Sequence, residues 1–304
     1  MTPGSEVRGL LDMVLASMLF SSMALCVYVL SEGPDALDPP VISLIRVLVN
    51  LILIVIPALS GSGFRRLMGD LRPSLWLRGL FGGASLMLSF LSIERIGPGE
   101  SAFLTSTSGL FVAILSPYVL GQPQRLLDWI AILLGLVGLY FLMEPQEFQQ
   151  DLSGRLMGLS SGVLAALAYL MVSRSARSNP PVTVVFYFCL MALILHVAWF
   201  SQVGLSLPGD PDGLLLALGA GLLGSLAQFF LTRAYQRAPA VLVSAVAYLA
   251  PVLSLLLGAI VLGLVPSPRA LWGSGLILLA GILIPLFRSA SRARKREIQP
   301  KFFP

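Results

Sequence analysis

Apolar residues fall along this chain in blocks of about twenty, the length that carries a helix across a bilayer core, and polar residues gather in the short stretches between. Ten blocks can be drawn, near residues 10–30, 41–60, 74–93, 100–120, 126–143, 154–173, 182–202, 213–232, 240–263 and 269–287. The spacers are too short for a soluble domain, so the pattern predicts an all-α integral membrane protein of ten transmembrane helices. The blocks also repeat. Pro39-Pro40 before the second block is matched by Pro180-Pro181 before the seventh, 141 residues later. At the same offset Gly83 falls on Gly224 and Pro98 on Pro239, while Trp129 and Gly138 meet Trp272 and Gly281 at 143. A shared order and spacing mark an internal duplication. Five helices per copy is an odd number, so the second copy crosses in the opposite sense, and inverted repeats of this kind accompany alternating access. The predicted units are residues 1–148, residues 149–290 and a basic tail at 291–304.

Composition agrees with the pattern. Of 304 residues, 56% are hydrophobic and only 12% charged, outside the range of soluble domains. The basic residues set the orientation. With the N-terminus in the cytoplasm, sixteen of the twenty Lys and Arg fall on that side, including Arg65, Arg66, Arg72, Arg78 and the tail, against Arg95, Arg155 and Arg269 outside. Both termini are therefore expected in the cytoplasm, with the protein in the inner membrane. The net charge of +5 and the RARKR tail read as this topology signal and as contact with anionic lipid, not as a nucleic-acid surface. The predicted outer loops carry Glu32, Asp35 and Asp38, and Asp210 and Asp212. Cys26 and Cys189 lie inside predicted spans and read as small buried hydrophobes.

Several segments resemble the EamA-like branch of the drug/metabolite transporter superfamily: Arg46 early in the second helix, SIERIGPGESAF between the third and fourth helices with its echo RAYQRAPAVLVS, the ninth helix AYLAPVLSLLLGAIVLG, and the glycine-rich GLVGLYFL and GSGLILLAGILI. The resemblance implies a ten-helix carrier with a central cavity between two repeats, open to one side at a time. Its members move amino acids, nucleotide precursors, sugars or amphipathic drugs. The acidic residue such proteins carry after the Leu-Gly that ends the fourth and ninth helices is absent here, where Gln122 and Leu264 follow.

Candidate substrate-binding residues are those whose polarity conflicts with their apolar setting. Arg46 stands inside VISLIRVLVNLILIVIP, with Asn50 four residues on and on the same helical face. Either its guanidinium faces the cavity, ready for a carboxylate or phosphate, or it snorkels toward Asp35 and Asp38. Asn50 is too deep to snorkel and is expected at an interhelical hydrogen bond or a cavity wall. Thr105-Ser106-Thr107-Ser108-Gly109 rings one turn of the fourth helix. Its hydroxyls either bond back to the backbone or line the cavity, with Thr105 and Ser108 on one face as the candidates. Tyr187 is the repeat partner of Arg46, Gln228 that of Met87, and Tyr248 offers an aromatic face with a hydroxyl. His196, with Trp199 close behind, is expected to anchor at the interface. Gly154, Gly158 and Gly162, and Gly79 with Gly83, form small-residue stripes for close helix packing. Pro117, Pro251 and Pro285 are candidate kinks, Pro251 the foremost hinge.

One histidine without flanking acids argues against an enzyme, the sparse polar positions against a channel, and the absence of a Walker-type loop against ATP drive. No cofactor or metal is expected. The expected partners are a small-molecule substrate and the lipid bilayer, with a homodimer possible and no nucleic acid. Acidic residues lie in loops or near helix ends, Asp12, Glu100 and Asp128 among them, which leaves facilitation or exchange, or proton coupling through those ends. The sequence thus predicts a secondary transporter moving a small metabolite, such as an amino acid or related organic solute, with a non-transporting scaffold as the alternative.

Overall fold

Without water in the bilayer core, backbone N–H and C=O groups must pair within the segment, and helices are the way these runs do so. The structure, a computed structural model, describes residues 3–31, 36–59, 63–143, 151–176, 178–205 and 211–281. In chain order these form α1 (Pro3–Ser31), α2 (Pro39–Ala58), α3 (Gly63–Met68), α4 (Pro73–Ser106), α5 (Ser108–Leu120), α6 (Leu126–Met143), α7 (Leu152–Ser175), α8 (Pro181–Val203), α9 (Pro211–Arg237), α10 (Ala240–Ala247), α11 (Leu249–Leu262) and α12 (268–281). Among the described residues nine helical stretches are long and apolar enough to cross a membrane. The tenth predicted span begins in α12 and continues past the described residues, where Pro285 and the basic tail also fall; Glu32, Asp35 and Asp210 lie outside them as well.

Proline opens α2, α4 and α8, where its fixed φ suits the first turn and its missing N–H leaves no unpaired donor. Left-handed glycines close α5 and α11, Gly121 at φ 64° and Gly263 at φ 67°, a geometry that spares a side chain the Cβ clash. The short basic α3, GFRRLM, was not part of the predicted pattern.

Helix runs unbroken by hydrogen bonding through α4, but Gly97 leaves helical geometry at φ 79°, ψ 164°. The two arms fold back on one another there, since Ser101 Oγ donates to the Ser89 carbonyl, twelve residues away, at 3.1 Å. This is the predicted turn at SIERIGPGESAF. Two further irregular turns fall within apolar runs, both still in right-handed helical geometry. Thr107 separates α4 from α5 at φ −59°, ψ −12°, and Tyr248 separates α10 from α11 at φ −62°, ψ −11°. They stand 141 residues apart, the offset of the sequence repeat. At the second turn Pro251 has no N–H for the Ala247 carbonyl, which weakens the helix there.

The closest packing pairs α4 with α7 and α1 with α9. Glycines make the first pairing possible. A Cβ at Gly158 would stand 2.9 Å from Ser92 Oγ, and one at Gly162 2.8 Å from the Leu104 carbonyl. Hydroxyls lock it, because Ser85 Oγ donates to the Ser161 carbonyl and Ser161 Oγ to the Ser85 carbonyl, each at 2.9 Å. On its other side α4 meets α8, with Gly83 against the Ala192 backbone.

The bundle end that carries the start of α1 also carries the starts of α4 and α8 and the end of α9. There Thr183 Oγ1 donates to the Arg66 carbonyl at 2.9 Å, Asn179 Nδ2 to Asp70 at 2.9 Å, and Gln236 Nε2 to the Asn179 carbonyl at 3.1 Å. The Ser178 hydroxyl, with Asn179 beside it, holds the Asp70 carboxyl below its ordinary pKa.

Gly83→Val places methyl groups where a Cβ would already lie 2.8 Å from the Ala192 nitrogen, so α4 and α8 must separate. The expected loss is about 1–3 kcal/mol, as for other overpacked sites, read as a lowered unfolding temperature in detergent. Gly219→Ala, whose Cβ meets nothing within 4 Å, should leave that temperature unchanged.

Candidate functional site

The two irregular turns border the same space, a cavity of about 220 Å³ whose wall includes Thr105, Ser106, Ser108 and Gly109 around the first and Ala247, Tyr248 and Pro251 around the second. Phe20 of α1, Tyr169 of α7 and Tyr235 of α9 complete it. Tyr169 and Tyr235 stack at 4.6 Å with 12° between their planes, and the Tyr235 hydroxyl is 2.9 Å from Ser244 Oγ. The Tyr248 ring lies against Gly109 and Gly135, positions with no room for a side chain. Its hydroxyl is buried without a hydrogen-bond partner.

The structure divides the predicted site residues into three groups. Thr105, Ser108 and Tyr248 line the cavity. The other hydroxyls of that polar turn bond back to the backbone, Ser106 to the Ala102 carbonyl at 2.7 Å and Thr107 to that of Leu104 at 2.6 Å. Arg46, Asn50 and Gln228 are buried and are not among the cavity-lining residues. Arg46 is 9% exposed, so it does not snorkel to a surface; its Cζ sits 5.5 Å from the centroid of the cavity-lining Phe20. Gly224 makes space for it, since a Cβ there would be 2.8 Å from Arg46 Nε. Gln228 follows one turn along α9 from Gly224, and Asn50 one turn along α2 from Arg46. Tyr187 stands apart from the cavity. Its hydroxyl donates to the Met68 carbonyl at 3.0 Å, and Trp76 meets its ring edge to face at 4.9 Å.

One residue was passed over and one expectation needs correction. Arg78, on the cytoplasmic side of the charge count and within the third predicted span, lies in the second turn of α4 and is only 2% exposed, with Cζ 4.8 Å above Phe188. Gly82, four residues on and on the same face, is where a side chain would collide with its guanidinium; that arginine-to-glycine spacing was the available signal. His196, expected at the interface, is fully buried. Nδ1 is 2.7 Å from the Ala192 carbonyl and Nε2 3.0 Å from Ser43 Oγ. A carbonyl only accepts, so Nδ1 carries the hydrogen and the Ser43 hydroxyl donates to Nε2. The aromatic pair Tyr169 and Tyr235 was missed too, having no sequence feature to separate it from core tyrosines.

Ion pairs sit at both ends of the bundle. At the α1 start, Asp12 takes Arg237 at 2.8 Å and Arg233 at 3.2 Å, joining α1 to α9. At the opposite end, Arg155 of α7 reaches Glu100 of α4 at 2.8 Å, and Arg95 reaches Asp151 at 3.4 Å. The Ser153 hydroxyl, the Gly154 N–H and Arg95 hold the Asp151 carboxyl down to about 2. A wider cleft of about 890 Å³ opens at that end between Ile93–Glu100 and Ser254–Ala270. It is larger than the central cavity, but the convergent buried polar groups belong to the smaller one.

The sequence pattern described as the EamA-like transporter family matches residues 7–144 and, a second time, residues 152–286. A pseudopaline exporter of Pseudomonas aeruginosa is 28% identical over 91% of this chain and 95% of its own length. A riboflavin transporter of Vibrio cholerae is 28% identical over 64% of this chain and 65% of its own. An S-adenosylmethionine uptake transporter of Rickettsia felis is 25% identical over 67% and 69%. One crystal structure superposes with a TM-score of 0.81 at 20% identity, over 93% of this chain and 98% of that one, which establishes the fold.

Removing the Tyr248 hydroxyl deletes a buried polar group that has no partner. Tyr248→Phe is therefore expected to leave stability unchanged or slightly raised, whereas Tyr235→Phe, which strands Ser244, should cost about 1 kcal/mol. Thermal unfolding of the two purified variants checks the contrast.

Proposed function

Because this chain belongs to the EamA-like transporter family, we propose that it is a secondary transporter of the cytoplasmic membrane that moves a small organic solute, of amino-acid or organic-acid size, by alternating access. In this reading ten spans form two inverted repeats, residues 1–148 and 149–290, with both termini in the cytoplasm. The observation that supports it is the pair of equivalent irregular turns at Thr107 and Tyr248, one from each repeat, whose neighbouring residues line a single cavity between helices of both repeats. A solute site drawn from equivalent helices at the interface of two inverted repeats is the arrangement that alternating access uses. Thr105, Ser108 and Tyr248 are proposed to touch the solute directly, with Arg46, Asn50 and Gln228 supplying charge and amide groups behind Phe20. Tyr187 is assigned to closure of the α1-start end.

The two ends supply the gates. Asp12 with Arg233 and Arg237 holds one, and Glu100 with Arg155 holds the other, each joining a helix of one repeat to a helix of the other. Opening one end breaks its ion pairs while the opposite pairs hold. Relatives named for export and for uptake are consistent with one gating scheme serving either direction.

Counterflow in proteoliposomes against amino acids, nucleotides, organic acids and cationic drugs tests transport itself. Exchange of at least one solute is expected; a folded protein that exchanges none favours a scaffold. The gates are tested by labelling Ser244→Cys, in a Cys26→Ser and Cys189→Ser background, with a membrane-impermeant thiol reagent in sealed vesicles. Partly exposed ion pairs contribute about 1 kcal/mol, so Asp12→Asn should raise labelling from the α1-start side roughly fivefold, and Glu100→Gln should raise it from the other. Equal labelling in all variants would remove the gates.

A further inference from the structure

Among the described residues, the wall of the central cavity carries no acid, no base and no imidazole; its side chains are aromatic rings, hydroxyls and aliphatic groups. An ion entering such a space gives up its water and finds no opposite charge, a cost that an uncharged solute does not meet. A cation fares worst, because the Arg46 guanidinium already sits 5.5 Å over the Phe20 ring of that wall. The wall therefore selects for an uncharged body. It also selects for a ring, since Phe20, Tyr169, Tyr235 and Tyr248 all contribute to it. Tyr169 and Tyr235 are already stacked, 4.6 Å apart with 12° between their planes, and a flat ring meets such a wall in offset-stacked or edge-to-face contact. At about 220 Å³ the space is smaller than the roughly 300–1,000 Å³ of drug-sized sites. It has room for one ring system and its substituents.

One polar atom at this wall is left over. The Tyr248 ring packs by its edge against Gly135, which is not part of the wall, and by its hydroxyl end against Gly109, which is. The hydroxyl is thus the end of the side chain held at the cavity. The residue is 4% exposed, and the oxygen is buried without a hydrogen-bond partner. Its neighbours in the wall are already engaged, Tyr235 with Ser244 Oγ at 2.9 Å and Ser106 with the Ala102 carbonyl at 2.7 Å. A buried hydroxyl that is left unpaired costs free energy until an acceptor reaches it. Here that acceptor has to come from the contents of the cavity.

We propose that the cavity seats an uncharged planar ring, aromatic or heteroaromatic, that bears a carbonyl or ring-nitrogen acceptor, and that Tyr248 selects this ring by donating its hydroxyl hydrogen to the acceptor. The ring is the recognised end of the solute and lies among Phe20, Tyr169 and Tyr235. Shape is read by the aromatic wall, charge by the lack of any counter-ion in it, and the acceptor by one hydroxyl. This assignment rests on the carrier reading for its biological sense, but the binding it describes is measurable without transport.

The test is isothermal titration of the full-length protein in detergent, against detergent alone, with four probes. Nicotinamide is a flat neutral ring with acceptors. Nicotinate and 1-methylnicotinamide keep the ring but carry a negative and a positive charge, and cyclohexanecarboxamide keeps the amide but loses the flat ring. Nicotinamide is expected to bind about fivefold or more tightly than each of the other three. Tyr248→Phe, which is expected to fold as well as the wild type, should lower nicotinamide affinity about fivefold, the effect of losing one neutral hydrogen bond. Tyr169→Leu should bring nicotinamide down to the level of cyclohexanecarboxamide, whereas Tyr169→Phe, which keeps the ring, should hold the preference and guards against a variant that fails to fold. The proposal is overturned if the wild-type protein does not bind nicotinamide, if either charged probe binds more tightly, or if folded Tyr248→Phe binds nicotinamide as the wild type does. Counterflow separates the two readings. Exchange of some solute by a protein that binds no nicotinamide keeps the carrier and removes the ring site. Nicotinamide binding without exchange of any solute keeps the site and removes the carrier.

Discussion

A bilayer core offers no water to a polar group, and the arrangement of this molecule follows from that one constraint. Hydroxyls within the helices turn back on their own backbone, Ser21 to the Ser17 carbonyl, Ser225 to Gly221 and Thr232 to Gln228, each near 2.7–2.8 Å. Carboxylates pair with arginines toward the bundle ends. Against this order, two buried polar atoms without a hydrogen-bond partner stand out among the described residues. The Tyr248 hydroxyl is on a residue that lines the cavity, and Arg46 Nε belongs to the guanidinium that faces the cavity-lining Phe20.

The duplication gives that region its symmetry and then departs from it. The backbone keeps the repeat closely: irregular turns at Thr107 and Tyr248, left-handed glycine stops at Gly121 and Gly263, and cross-repeat pairs α1 with α9 and α4 with α7. The side chains do not. Arg46 in the first copy corresponds to Tyr187 in the second, and Tyr187 is held by the Met68 carbonyl and the edge of Trp76, away from the cavity. Gly83 admits the α8 backbone, whereas its partner Gly224 admits the side chain of Arg46. The frame is close to symmetric, and the side chains inside it are not.

Most of the frame was legible in the sequence, because hydrophobic run length and spacing of Gly and Pro directly encode the spans, the turn at Gly97 and the repeat offset. The cavity was legible only where polarity stood out against an apolar run, as at Thr105, Ser108 and Arg46. Depth and rotation were harder to read. Arg78 falls inside the third predicted span, but run length and charge count do not show which face of the helix it occupies. His196 seemed interfacial because a tryptophan follows, yet packing against α2 buries it. Tyr169 and Tyr235 carry no mark at all: a tyrosine in an apolar helix reads the same whether it faces a neighbour or a cavity, and only the crossing of α7 and α9 decides.

His196 also bears on how the cavity responds to protons. Its Nδ1–H is committed to the Ala192 carbonyl and its Nε2 to the Ser43 hydroxyl, so the ring joins α8 to α2 and leaves neither nitrogen free for a solute. The carboxylates of Asp12 and Glu100 are held in ion pairs at the bundle ends. The described residues that line the cavity bring hydroxyls and aromatic rings to it and no carboxylate or imidazole, and the Arg46 guanidinium beside its Phe20 wall does not shed its proton in a protein. The polarity of the cavity wall is therefore fixed by covalent structure, and the helices around it hold that polarity in place.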